Sequence, residues 1–268
     1  MKRIVGLARA VLDRAGGNNM GIVAAGVAYY AFLSMIPVIA ALVLGYGIFA
    51  EPATVERHIA LISGSLPGEA GTLISEQMRA VTETDSNKKG VALAGAILLA
   101  LFGARGGAGA ILTAIEIAYD TQDRRGFIQR NLMAIGITLG ALVACALVAL
   151  AVAATGLLAG FVGKLASYLV VMAGGAGGAL LLYRYGPDRE AGVWRNQLPG
   201  AVLFGAMWVL LTIGFGIYAA NFGNYGATYG SLSAIVVLLT WLYLSAYVLL
   251  LGAELNAELR GNTARSRA

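Results

Sequence analysis

The sequence predicts an all-α, polytopic membrane protein, a bundle of six transmembrane helices. Three observations carry that expectation. Apolar side chains make up 59% of the 268 residues and charged ones only 12%, whereas soluble domains are about 25% charged; so few ionisable groups cannot cover a soluble core. The mean hydropathy is +0.76. Six apolar stretches also recur along the chain, each long enough for a hydrocarbon core that takes about 20 helical residues to cross.

The net charge of +5 suits basic loops lying against anionic lipid, so membrane lipids are the expected partners and nucleic acid is not. The single cysteine, Cys145, excludes a disulfide framework. The single histidine, His58, leaves no His/Cys metal cluster. No metal or cofactor is expected.

Residues 1–19 carry Ile4, Val5, Leu7, Ala8, Val11 and Leu12 on one side of a helix and Lys2, Arg3, Arg9, Asp13 and Arg14 on the other. That pattern predicts a cytoplasmic amphipathic helix at the membrane surface rather than a signal peptide. Gly16-Gly17-Asn18-Asn19 should end it. The membrane domain then spans 20–256, with crossings at about Ile22–Phe49, Val91–Tyr119, Leu132–Gly160, Leu165–Tyr183, Leu198–Ala220 and Gly230–Ala253. The fourth is the weakest, because only Gly163-Lys164 parts it from the third; one long bent element would leave five crossings. Residues 257–268 form a cytoplasmic tail.

Orientation follows from the basic residues. Thirteen (Lys2, Arg3, Arg9, Arg14, Arg124, Arg125, Arg130, Arg184, Arg189, Arg195, Arg260, Arg265, Arg267) fall on one side and five (Arg57, Arg79, Lys88, Lys89, Lys164) on the other. The count alternates only with six crossings and places both termini in the cytoplasm. The outer loop, 50–90, has apolar residues at helical spacing on either side of Pro67-Gly68, which predicts two short amphipathic helices.

No phosphate loop, dinucleotide fingerprint or nucleophile elbow is present, and the protein is not expected to be an enzyme. Arg105 is the most informative residue. It is the fifteenth position of the stretch beginning at Val91, where a charge costs about 2.5–3.5 kcal/mol. Gly103, Gly106, Gly107 and Gly109 surround it, which predicts a glycine-broken second helix whose half-helix end and guanidinium would bind an anionic headgroup. The alternative is that Arg105 caps carbonyls of a neighbouring helix while the glycines permit close packing. Tyr30 and Ser34 share a face of the first crossing with Pro37, where a kink is expected. Tyr30, Ser34 and Tyr229, in the polar turn 221–230, complete with Arg105, Gly103 and Gly106 the candidate substrate-binding set. Pro37, Glu116, Glu254 and Asn256 are assigned structural or interface roles: Glu116 at the cytoplasmic interface, solvated or pairing with a loop rather than relaying protons, and Glu254 and Asn256 in satisfying backbone groups or pairing with Arg260. The small-xxx-small spacings Gly136/Gly140 and Gly174/Gly178 predict close helix crossings.

Several segments taken together resemble the YihY/BrkB family of bacterial inner-membrane proteins, once labelled ribonuclease BN. They are Ala28-Tyr29-Tyr30-Ala31-Phe32-Leu33-Ser34-Met35-Ile36-Pro37, then Ala104-Arg105-Gly106 followed by Asp123-Arg124-Arg125-Gly126-Phe127, then Leu198-Pro199-Gly200-Ala201. The stretch from Tyr229-Gly230-Ser231-Leu232 through Trp241-Leu242-Tyr243-Leu244 to Leu251-Gly252-Ala253-Glu254-Leu255-Asn256 closes the pattern. The departure is Gly103, where the family often has a serine. The resemblance implies a six-helix inner-membrane bundle and an association with lipid or lipopolysaccharide traffic and virulence. The expected function is transport or flipping of an anionic amphiphile. A non-transporting scaffold for envelope assembly partners is the alternative. A ribonuclease would need a metal cluster or a His/Lys/Glu constellation that the short inner loops do not provide.

Overall fold

The computed structural model describes residues 2–49, 86–121, 124–156, 158, 160–187, 194–222 and 231–265. Every regular element among them is helical: α1 (Lys2–Gly17), α2 (Met20–Phe49), α3 (Ser86–Ala118), α4 (Phe127–Thr155), α5 (Gly160–Tyr185), a 3-10 turn at Trp194–Asn196, α6 (Leu198–Phe222) and α7 (Ser231–Arg265). The helices expected in the outer loop over 50–85 and the candidate Tyr229 lie outside the described residues, as does the side chain of Pro37. Among the described residues four helical segments are long and apolar enough to cross a membrane: Phe127–Thr155, Gly160–Tyr185, Leu198–Tyr218 and Ile235–Gly261. The third and fourth crossings are separate helices, parted at residues 156–159, with Gly160 at φ +65°.

One expectation fails. The second apolar stretch is not broken at its glycines; α3 runs from Ser86 through Gly103, Gly106, Gly107 and Gly109 to Ala118. Each glycine weakens a helix by about 1 kcal/mol relative to alanine. That propensity is offset in part by packing, because at Gly107 α3 lies against Ser34 of α2 at a distance that a Cβ would not permit.

The chain forms two compact units, residues 1–29 with 108–268, and residues 30–107. The core of the first gathers Met20, Ala24 and Val27 of α2, Ala114, Ile115 and Ala118 of α3, Tyr183 of α5, and Leu249, Leu250 and Ala253 of α7. Its helices cross on glycines. A Cβ on Gly205 of α6 would sit 2.7 Å from the Met172 carbonyl oxygen of α5, and one on Gly175 would sit 3.1 Å from the Trp208 ring. Gly174 abuts Val148 of α4. Gly136 and Gly140, by contrast, are exposed with open space around them, so no crossing among the described residues uses that pair. Spacing alone does not say which face of a helix meets a neighbour. None of the 18-residue apolar window of α4 is buried, which suits a helix whose outer surface meets lipid.

Candidate functional site

In the second unit α2 and α3 meet at Tyr30, Ser34, Gly103, Gly106 and Gly107. The Ser34 hydroxyl lies 2.6 Å from the Gly103 carbonyl oxygen and 2.6 Å from that of Tyr30. A Cβ on Gly107 would come within 2.8 Å of Ser34 Oγ, and one on Gly106 within 3.4 Å of the Tyr30 ring. The missing side chain of Gly107 is therefore what allows the approach. Arg105 leaves the helix elsewhere. It is two residues, about 200°, from both Gly103 and Gly107, and it is exposed. The structure thus brings Tyr30, Ser34, Gly103 and Gly106 together and sets Arg105 on a different side of the same helix from Gly103 and Gly107.

The first unit concentrates its polar chemistry at one end, where α1, α3 and α5 finish, α4 and α6 begin, and α7 passes. Asp120, at φ +53°, ends α3 in a left-handed residue, with the Thr121 N–H donating to the Glu116 carbonyl and the Asp120 N–H to that of Ile117; this double bond pattern closes helix C-termini. Arg14 of α1 reaches the same end. Its Nη2 donates to the Ala118 carbonyl at 3.1 Å and to Asp120 at 2.8 Å, and its Nε to Glu254 at 2.9 Å. A cation there also suits the negative end of the α3 dipole. Burial opposes the charge on Arg14, but hydrogen bonds to Asp120 and Glu254, together with their charges, outweigh it and raise the guanidinium above its ordinary pKa.

Glu254 is fully buried and accepts a second bond from Asn18 Nδ2 at 2.6 Å. Its cation is Arg14, 240 residues away in the chain, rather than Arg260. Two residues on, Asn256 Oδ1 accepts the Gly200 N–H at 2.8 Å, while its side-chain amide donates to the Gln197 carbonyl and the Tyr119 hydroxyl. The Tyr119 hydroxyl in turn donates to Gln197 Oε1 at 2.7 Å. Gly200 and Gly252 are in backbone contact, so α6 and α7 cross there without intervening side chains. Glu116 is buried against Arg125 at 2.6 Å, and Arg125 also donates to the Gly186 carbonyl at the end of α5 at 2.9 Å. Every one of these contacts satisfies a carboxylate, an amide or a helix-end carbonyl from within the chain, which is what buried polar groups require.

Sequence reasoning missed Arg14, Asn18, Tyr119, Arg125, Gln197 and Gly200 as members of this network. The signals available were local: Asn18-Asn19 reads as a helix stop, and Asn19 does adopt φ +52°, but nothing in that spacing points to Glu254. Among the described residues no three of His, Cys, Asp and Glu come together as a metal would need.

Comparison with known proteins gives a consistent assignment. A family model described as virulence factor BrkB matches residues 11–268. A protein described as ribonuclease-like, YfkH of Bacillus subtilis (strain 168), is 32% identical over 249 residues, 88% of each chain. A UPF0761 membrane protein of Tolumonas auensis is 40% identical over 83 residues, 31% of this chain and 27% of its own. Another, of Xanthomonas oryzae pv. oryzae (strain PXO99A), is 38% identical over 80 residues, 30% of this chain and 19% of its own. No solved structure matches significantly.

Proposed function

The chain belongs to the virulence factor BrkB family, and from that premise we propose that it is an inner-membrane transporter or flippase-like protein for an anionic amphiphile such as a lipid or lipopolysaccharide precursor. The observation that carries the reading is Arg105, exposed on α3 about 20 Å along the axis from Ala118, at 1.5 Å per residue. A guanidinium at such a depth is a functional-site candidate by its cost, and its fork matches a phosphate. Six crossings are supported by the four apolar helices together with α2 and α3, each longer than the roughly 20 residues a crossing needs. The thirteen-to-five distribution of basic residues favours cytoplasmic termini.

A second reading, a non-transporting scaffold for envelope partners, draws on the polar end of the first unit, where the carboxylates and amides are committed to contacts within the chain. A nuclease reading, which the description of YfkH raises, draws no support from the described residues, where no three of His, Cys, Asp and Glu come together.

The deciding experiment substitutes Arg105. Translocation of a fluorescent anionic phospholipid by the reconstituted protein is measured beside thermal stability in detergent. Arg105→Lys should keep part of the activity, since it retains charge without the fork. Arg105→Gln should be inactive yet as stable as the parent. Equal loss of stability and activity in Arg105→Gln would assign the residue to structure and refute the proposal.

A further inference from the structure

α1 is fastened to the rest of its unit chiefly through polar contacts. Among its described side chains only Val11 and Ala15 are buried. Arg14 binds Glu254, Asp120 and the Ala118 carbonyl, and Asn18 adds a second bond to Glu254. The chain then passes to α2 through Gly16-Gly17-Asn18-Asn19. A Cβ on either glycine would meet nothing within 4 Å, and Asn19 sits at φ +52°. An uncrowded turn and one ion-paired cluster therefore hold this helix, as a hinge and a clasp hold a strap.

The clasp differs from the Glu116–Arg125 pair at the same end of the unit. Glu116 and Arg125 are both closed off, at 7% and 6% accessible, whereas Arg14 is 28% accessible and Glu254 0%. Water reaches the cation of the α1 clasp but not its carboxylate. Glu254 also lies midway between Gly252, whose backbone meets Gly200 of α6, and Asn256, which accepts the Gly200 N–H. The strap is thus fastened to the stretch of α7 on which α6 is seated.

We propose that α1 is a proton-released strap: when Glu254 takes up a proton, Arg14 lets go and α1 detaches from the ends of α3 and α7. The proposal stands apart from any role of Arg105. Withdrawing Arg14 from a carboxylate leaves a buried charge with only the neutral Asn18 for a partner, a strongly disfavoured state. A neutral carboxyl makes no such demand. Proton uptake and departure of Arg14 therefore favour each other, and lowering the pH shifts the balance toward release. The charged and titratable groups around Glu254 are Arg14 from α1, Tyr119 and Asp120 at the end of α3, and Glu258 one turn further along α7, with Arg260 beyond Tyr119. Asp120 repels the carboxylate, which makes Glu254 depend the more on Arg14. Once the buried pair is neutralised, the bond from Arg14 to exposed Asp120 is screened by solvent and holds α1 weakly.

The test places nitroxide pairs on the full-length protein in mild detergent, in a Cys145→Ala background, and reads their separation by double electron–electron resonance. One pair, Gly6→Cys with Gly261→Cys, joins α1 to α7; the other, Gly177→Cys with Gly261→Cys, joins α5 to α7. All three glycines have open space where a side chain would go. Spectra are taken at about pH 7.5 and at about pH 4.5, the second close to the ordinary glutamate pKa. The α1 pair should show one narrow distance at the higher pH. At the lower pH a second, broad population should grow, its ratio to the first rising at least about tenfold, as one linked proton allows. The α5 pair should keep one distance throughout. Glu254→Gln should show the broad population at both pH values, as should the double variant Arg14→Gln, Glu254→Gln, which leaves no unpaired charge and serves if the single variant folds poorly. Asp120→Asn should keep the pH response. An α1 distance independent of pH in the parent, a response that survives Glu254→Gln or the double variant, one that disappears in Asp120→Asn, or equal broadening of the α5 pair would each overturn the proposal.

Discussion

Replacing Arg14 by alanine should be among the most damaging single changes outside the cores of the helices, for a reason specific to charge. Glu254 is fully buried and has two donors, Arg14 Nε and Asn18 Nδ2. Arg14→Ala leaves a buried carboxylate with one neutral donor and no cation. Removing one partner of a buried pair costs about 3–5 kcal/mol. The Arg14 side chain is 28% accessible, so the lower end applies, about 3 kcal/mol, or more than a hundredfold in the folded-to-unfolded ratio. The lost contact with exposed Asp120 adds at most about 1 kcal/mol. If the loss comes from the orphaned charge, neutralising that charge should restore stability. Arg14→Ala combined with Glu254→Gln should therefore recover about 2 kcal/mol relative to Arg14→Ala alone, a coupling within the range seen for contacting residues. Unfolding of the full-length protein in detergent, followed by circular dichroism for the two single variants and the double, measures it. A double variant no more stable than Arg14→Ala would show that packing and not charge fixes this contact.

Gly200→Ala should destabilise the protein by about 2–4 kcal/mol, from overpacking against the Gly252 backbone and from straining the N–H bond to Asn256; a melting temperature within two degrees of the parent would contradict the crossing. Two glycine-to-alanine changes should have opposite signs: Gly107→Ala lowers stability by about 1 kcal/mol because Ser34 Oγ must move, whereas Gly136→Ala raises it by about 0.5–1 kcal/mol in open space. A shared sign in the same melting assay would sink the packing argument. Ser86→Cys should react with an impermeant maleimide added to intact spheroplasts; labelling only after lysis would reverse the orientation inferred from the basic residues.

Much of the architecture was legible because a bilayer makes hydrophobic length decisive. The stretch between Leu165 and Tyr183, doubtful from its own composition, follows from the alternation of basic loops and is the separate helix Gly160–Tyr185. The continuity of α3 through Gly103–Gly109 was not legible, because local propensity is worth about 1 kcal/mol per glycine and cannot report that Ser34 and Tyr30 lie beside Gly107 and Gly106. The same holds for the glycine pairs: Gly174 meets Val148 and Gly136 meets nothing, though the spacing is identical. Glu254 and Asn256 stand out in sequence as polar residues in an apolar run. Their partners Arg14, Asn18 and Gly200 are 56 to 240 residues away in the chain, beyond any periodicity argument.

The contrast between the arginines sharpens the functional reading. Arg14 and Arg125 sit where helices end, each spanning a carboxylate and a main-chain carbonyl. Their guanidinium groups do what a structural cation does, joining elements that would otherwise leave polar groups unsatisfied. Arg105 sits instead within the run of an unbroken helix, exposed, with the glycines on another side taking the role of packing against α2. Close packing of α2 on α3 at Ser34 and Gly107 therefore does not rest on the arginine side chain. Substituting Arg105 therefore tests that side chain's own contacts separately from the packing of the helix pair.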